Sequence, residues 1–248
     1  MNSTVARLGL AALALLSFNA TAEPLDDFFK EFVAKREKIA SIQANFVQEN
    51  ISPDETLRST GRIAYAKPKQ LLFEYYDPKI IYAINGLRAY QYEADLEQVQ
   101  VYDVGDSAQA DAFFIAFDND PGRLREAYDV TLLEPEPDAC GAHALKLVPK
   151  EIAAATDDES PAQPFREIRL YLRAEDFLPC EIRAFNHDDA EVRVSIRDYK
   201  PNDADAASAV RFHVPEGTSI IINEAKAELA GPGGKTLPET STPPQSQK

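Results

Sequence analysis

The chain has 248 residues, 44% of them hydrophobic, enough for a sizeable core, since a globular chain of this size buries roughly 70% of its unfolded surface. Its 41 acidic residues outnumber 26 basic ones, and the net charge of −15 argues against a nucleic-acid partner and against stable docking on anionic lipid headgroups. The acidity is scattered along the chain, where its plain role is solubility.

The first 22 residues read as a secretory signal peptide. Arg7 is followed by an apolar run from Leu8, and Ala20-Thr21-Ala22 is a small-x-small cleavage site. The run ends at Phe18, short of the roughly 20 residues a membrane span needs. The expectation is an exported protein with a single domain over 23–228 and a disordered tail over 229–248, which is rich in Gly, Pro, Ser, Thr and Gln.

Residues 24–44 predict one amphipathic helix. Leu25, Phe28, Phe29, Phe32, Val33, Arg36, Ile39 and Ala40 recur at helical spacing. Phe46 to Gln48 opens the first strand, and Ser52-Pro53-Asp54 marks a turn. Strands then follow one another, separated by Lys67-Pro68-Lys69, Asp77-Pro78 and Asn85-Gly86, the last a hairpin signal. Ile63 and Tyr65 share one face of their strand, and Leu71, Phe73 and Tyr75 share one face of the next. Gln98 to Val104 is a further strand. Residues 109–117 read as a short helix that is apolar nearly all round, and such a helix is buried or faces something apolar.

The second half is a meander: Tyr128 to Leu133, His143 to Val148, Phe165 to Arg173, Cys180 to Asn186 and Val192 to Tyr199 all alternate. An acidic, Pro-bearing loop over 151–164 interrupts it. Val210 to Val214 and Ser219 to Asn223 close the domain.

Little here points to catalysis. Paired acidic residues such as Asp188-Asp189 point to opposite sides of an extended chain and suit solvated turns. No serine sits in a nucleophile elbow, and Gly231-Pro-Gly-Gly234 follows no strand–helix unit that would make it a phosphate loop. Cys140 and His143 have ligand-like spacing, with Cys180 and His187 to complete a set, but structural zinc uses tighter paired motifs. No metal, cofactor or enzymatic activity is expected. In an oxidising compartment the two cysteines, Cys140 and Cys180, suggest one disulfide; two buried thiols are the alternative.

The apolar load of the strands is distinctive. Leu71, Phe73, Tyr75, Tyr82, Tyr90, Tyr92 and Tyr102 bring large side chains to neighbouring strands. An ordinary sandwich core would use them too. The bulk is mostly Tyr, however, and there is no Trp; a Tyr needs a hydroxyl partner when fully buried and therefore suits the rim of a partly wet cavity.

These residues resemble the periplasmic outer-membrane lipoprotein carrier family, LolA. Gly61 with its strand and Lys67-Pro68 resembles the family's G-x-L-x-x-x-R-P run, and Leu71, Phe73 and Tyr75 fall on its F-x-W positions and the next alternate site. Tyr92 to Gln98 matches its Y-x-x-x-x-E-Q motif, Leu147-Val-Pro149-Lys150 its L-x-P-K, and Phe212-His-Val-Pro215-Glu-Gly217 its F-x-F-x-P-P-x-G-V run. The likeness spans residues 24 to about 225.

The resemblance implies a mainly β (α+β) fold: a single antiparallel, unclosed β half-barrel with an N-terminal helix and a short helical lid over the concave face. It implies a monomeric periplasmic carrier that shields lipoprotein acyl chains, receiving them from an inner-membrane ABC transporter and passing them to an outer-membrane receptor. The lipid-contacting set would be Ile63, Tyr65, Leu71, Phe73, Tyr75, Tyr82, Tyr90 and Tyr92, with Phe113, Phe114 and Phe117 from the lid. Lys67 stands where the family has the Arg that latches the lid, and a lysine lacks that planar fork. Alternatives of the same fold are a lipid-sensing regulator and a carrier of another lipid or glycolipid. A plain interaction module, whose concave face is simply core, is the third.

Overall fold

The computed structural model describes residues 22–103, 114, 116–117, 120–134, 136, 139–150, 165–222, 226–229 and 235–237. The expected signal peptide, apart from Ala22, and the acidic loop over 151–164 lie outside them, as does most of the expected lid helix, including Phe113.

Helix α1 (Ala22–Arg36) leads into β1 (Ser41–Ile51), β2 (Thr56–Ala66), β3 (Gln70–Tyr76), β4 (Lys79–Asn85), β5 (Arg88–Glu93) and β6 (Gln98–Asp103). After α2 (Pro121–Ala127) come β7 (Tyr128–Leu133), β8 (His143–Pro149), β9 (Glu167–Leu172), β10 (Pro179–Phe185) and β11 (Glu191–Pro201). A short α3 (Ala206–Ala209), β12 (Phe212–Val214), β13 (Ser219–Ile222), β14 (Lys226–Leu229) and β15 (Lys235–Leu237) complete the described order.

Thirteen strands form one sheet in the order β14-β13-β6-β5-β4-β3-β2-β1-β11-β10-β9-β8-β7. Its ends do not meet, so the sheet is an unclosed half-barrel. Neighbours are antiparallel except β13, which runs parallel to β6 with Ile220 beside Val99. The wholly antiparallel sheet expected from the sequence therefore fails at this one pair, because the chain returns to the β6 edge by the long route through β7–β12 rather than by a hairpin.

The helix is shorter than its sequence spacing predicts. It ends at Arg36, and residues from Ser41 onward enter the sheet. Ile39 and Ala40 extend the helical pattern, but Ile42, Ala44 and Phe46 obey a period of two, and all three are buried in the concave core. The connection is fixed from the far end of β11: the Asn202 side chain accepts from the Ala40 amide at 2.7 Å and donates to the Lys38 carbonyl at 2.9 Å.

Both faces of the sheet are covered, by different parts of the chain. Phe28, Phe29 and Phe32 of α1 pack on the concave face with Ile42, Phe46, Ile63, Tyr65, Leu71 and Leu145. On the convex face Ala64, Leu72, Ile81, Tyr90, Tyr92, Val99, Val101 and Ile220 are covered by Val210, Phe212, Val214 and Leu237. Full burial of each large apolar side chain contributes roughly 1.5–3 kcal/mol. That convex cover corrects the expected start of a disordered tail at 229. Strand β15 pairs with β12, Phe212 opposite Leu237, and Leu237 is buried because it closes an apolar face the sheet cannot leave wet. The last residues, 238–248, lie outside the described set.

Candidate functional site

The concave face divides into a filled part and an open part. In the filled part α1 is held at its C-terminus. Arg36 is 2% exposed, and its guanidinium stacks over the Phe32 ring at 4.4 Å and donates through Nε to the Phe177 carbonyl at 3.2 Å, with Nη2 on the same oxygen. Lys35 donates to the Ala174 carbonyl at 3.1 Å. Both acceptors lie in the β9–β10 turn. Phe177 is held there at φ +58, a backbone region that costs a non-glycine residue on the order of 1–3 kcal/mol. Packing offsets that cost: the Phe177 ring is fully buried between Phe28, Phe32 and His143, stacked on the imidazole at 4.5 Å.

The Lys67 ammonium, expected as a lid latch, donates to the Arg36 carbonyl at 3.2 Å. It thus satisfies a terminal carbonyl of α1, where helices favour a cation. Phe114 and Phe117 are buried in the concave cluster, and the Phe117 ring stacks on Tyr65 at 6.1 Å.

Gly61 explains how the wall carries so much aromatic bulk. It lies opposite Phe46 in β1 and Tyr75 in β3. A Cβ at Gly61 would meet the Glu74 carbonyl oxygen and stand 2.6 Å from Phe46 Cε1. With none present, the Phe46 ring settles over the backbone and meets Tyr75 and Phe73 edge-on, at 5.0 and 5.7 Å.

Beyond Phe46 the face is open. A cleft of about 240 Å³ is lined by Leu71, Phe73, Tyr82, Ile84, Ala89, Gln91 and Tyr102, over a floor of Ala83 and Tyr90. Tyr75 borders it, its hydroxyl donating to Gln48 Oε1 at 2.7 Å; burial, with Tyr82 nearby, pushes its pKa up to about 12. Tyr82 and Tyr102 are each 41% exposed. Burial raises the Tyr82 pKa, with smaller contributions from Glu93 and Tyr102.

The sequence-predicted set therefore separates. Ile63, Tyr65, Leu71, Phe73, Tyr75 and Tyr82 share the concave face, joined by Phe114 and Phe117. Tyr90 and Tyr92 do not. Tyr82 pairs with Gln91, so strand alternation sends the flanking tyrosines to the convex side, where Tyr92 packs against Phe212 at 6.0 Å. Sequence reasoning placed Arg36 on the stripe of α1 but missed its pairing with Phe177, because the acceptor is a backbone carbonyl 141 residues away, which no local pattern marks. It also missed Phe46 as the ring dividing the filled part from the open one; Gly61, opposite in the hairpin, was the available signal.

Cys140 and Cys180 form a disulfide, with Cα atoms 6.1 Å apart. Neither thiolate is then available to a metal, and the described residues contain no cluster of three or more His, Cys, Asp or Glu suited to one. The bond ties the β7–β8 connection to the sheet. Gly141 lies flat on the Leu172 backbone, and Glu136 accepts from the Tyr171 hydroxyl at 2.9 Å and from Arg169 and Arg183. The Tyr171 bond, followed by the two arginines, holds the Glu136 carboxyl below its ordinary range.

Comparisons with known proteins agree with this architecture. An outer-membrane lipoprotein carrier protein of Xanthomonas campestris pv. campestris (strain B100) is 29% identical over 146 residues, 58% of this chain, and the match spans only 65% of that relative's length. The protein of the same description from Xanthomonas oryzae pv. oryzae is 25% identical over 217 residues, covering 86% of this chain and 94% of its own. Among solved structures, an uncharacterized conserved protein from Thermus thermophilus superposes with a TM-score of 0.50 at 14% identity, over 80% of this chain and 99% of its own, a likeness of fold. Residues 37–213 match the family described as outer membrane lipoprotein carrier protein LolA, and they contain the Gly61 wall, the cleft and the β9–β10 turn that receives Arg36. With that match across most of its length, and a half-barrel whose apolar face is left partly open, this chain belongs to the LolA family.

Proposed function

We propose that this protein is a periplasmic carrier, without catalytic activity, that shields the acyl chains of lipoproteins and moves them from the inner to the outer membrane. The observation that carries this reading is the open apolar cleft bounded by Leu71, Phe73, Tyr82, Ile84, Ala89 and Tyr102. It lies in a chain of the carrier family, next to a concave face already filled with aromatic rings. The matched Xanthomonas relatives, described as outer-membrane lipoprotein carrier proteins, support the same cargo.

Each methylene withdrawn from water contributes about 0.8 kcal/mol, so one long acyl chain gains on the order of 10 kcal/mol. Free lipoprotein therefore leaves a membrane too rarely to cross an aqueous space unaided. In this reading the cleft receives the first part of a chain, and longer or additional chains displace Phe114 and Phe117 from the concave cluster. Those rings refill the face on release, so cargo binding stays weaker than at a receptor lacking such competition. Loading from an inner-membrane ABC transporter and delivery to an outer-membrane receptor complete the route.

Mass spectrometry of organic extracts of the protein purified from the periplasm tests this. Stoichiometric lipoprotein or acylated peptide is expected. A protein that carries no lipid and takes up no acylated peptide contradicts the proposal.

A further inference from the structure

The lip of the cleft carries a selectivity that its apolar lining does not. Tyr75 and Tyr82 stand on β3 and β4, and Gln91, Gln100 and Tyr102 on β5 and β6 of the same face, Gln91 paired with Tyr82 and Gln100 with Gln91. Most of these polar groups are already engaged. Tyr75 donates to Gln48, Tyr102 to Gln100, and Gln91 Nε2 to Glu93 Oε1 at 2.8 Å. The Tyr82 hydroxyl donates to no other described residue. Its ring is fixed edge-on to Tyr75 at 5.9 Å, which aims a preorganised donor along the cleft margin.

Charge at the lip is one-sided. Among the described residues no lysine or arginine lines the cleft, and Glu93 is the carboxylate that acts on Tyr82. Lys79 is engaged with Glu74 on the opposite face of the sheet, and Arg88, paired with Asp103, also points to that face by strand alternation. Proteins that hold phosphate use Arg or Lys forks or a helix N-terminus, and like charges brought together are costly.

We propose that this lip selects acyl chains carried on an uncharged ester head, with the Tyr82 hydroxyl donating to the ester carbonyl and Glu93 turning away anionic phosphate heads. The inference rests on the acyl-shielding reading above and deepens it. A carrier that draws lipoproteins from a phospholipid bilayer meets a large excess of phosphate-headed chains of the same length. Chain burial alone cannot distinguish the two, since both gain the same energy per methylene. The head must decide, and Tyr82 and Glu93 are where the head would lie.

Calorimetric binding of three short-chain probes to the whole protein tests this: dioctanoylglycerol, its diether analogue without carbonyls, and dioctanoylphosphatidylglycerol. Wild type is expected to bind the glycerol ester about 10-fold or more tighter than the phosphatidylglycerol. Tyr82→Phe should weaken the ester about 5-fold, the worth of one net hydrogen bond, and leave the diether unchanged. Glu93→Gln should narrow the gap to the phosphatidylglycerol. Equal affinities for all three probes, or equal losses for ester and diether in Tyr82→Phe, would overturn the lip inference while leaving acyl shielding intact. No binding of any probe overturns both.

Discussion

Arg36 and Phe177 are joined by a side chain-to-backbone hydrogen bond that connects α1 to the far wall of the half-barrel. The guanidinium reaches the Phe177 carbonyl, while the Arg36 carbonyl receives Lys67 from the β2–β3 turn. One helical residue thus ties together two turns that lie on opposite sides of β1 in the sheet. A half-barrel lacks the ring of hydrogen bonds that fixes the width of a closed barrel, and this bridge supplies part of that constraint.

Replacing Arg36 should therefore be felt in stability. Arg36→Leu keeps the apolar packing on Phe32 but leaves the buried Phe177 carbonyl without its donor, which costs about 1–3 kcal/mol. Arg36→Lys should recover less than half of that, because an ammonium lacks the planar fork that places two N–H groups on one oxygen. Urea unfolding midpoints of the three proteins check the order.

Gly61→Ala should destabilise the wall by about 1–3 kcal/mol, the usual range for overpacking. The added carbon meets both the Glu74 carbonyl and the Phe46 ring. Phe46→Leu in the same chain should recover only part of the loss, since it relieves the ring contact and not the backbone one. Thermal unfolding of the single and double variants measures this.

Tyr75 should impose an alkaline limit. Its folded pKa, about 12, lies above the ordinary tyrosine value near 10. The folded state therefore holds the proton more tightly. The contribution is fully present below about pH 10 and is lost as pH rises from there through about 12, on the order of 2–3 kcal/mol in all. Tyr75→Phe, which cannot ionise, should show a shallower fall in stability than wild type across that window. Urea midpoints at stepped pH compare the slopes.

Reduction of the Cys140–Cys180 bond should cost about 2–4 kcal/mol, since it closes a loop of about 40 residues in the unfolded chain. Hydrogen exchange should also quicken at the Ala142 amide, which donates to the Leu172 carbonyl beside the bond. A Cys140→Ser, Cys180→Ser double variant should match the reduced wild type in both readouts.

Much of this was legible from short-range pattern. The β2–β6 strands could be placed because Lys67-Pro68-Lys69, Asp77-Pro78 and Asn85-Gly86 punctuate them, and the β7–β11 meander because its alternation is clean. The hairpin turn itself falls one residue later than the Asn85-Gly86 signal suggests: Asn85 pairs with Arg88, leaving Gly86 and Leu87 between them, with Gly86 at φ +60. What pattern could not supply was parity across a hairpin. Tyr82 and Tyr90 are both aromatic and both in strands, yet they lie on opposite faces, and only the register of β4 on β5 decides which. The end of α1 failed for a similar reason, because Ile39 and Ala40 satisfy the helical period just before the period-two run begins. The convex cover was hidden by composition: Leu237 sits in a Gly- and Pro-rich stretch, and its burial depends on an apolar surface contributed by strands far earlier in the chain, among them Leu72, Ile81 and Val99.

The central claim is tested most directly by uptake from detergent, which stands in for the loading step. A fluorescent diacylated peptide in detergent is mixed with the protein, the detergent is removed, aggregates are pelleted, and the peptide in the supernatant is measured for wild type and for Ala89→Trp, which fills the cleft. The account predicts peptide co-eluting with wild type, and far less with Ala89→Trp when circular dichroism shows its strand content retained. Peptide that pellets in the presence of wild type, or that a folded Ala89→Trp keeps soluble equally well, would contradict it.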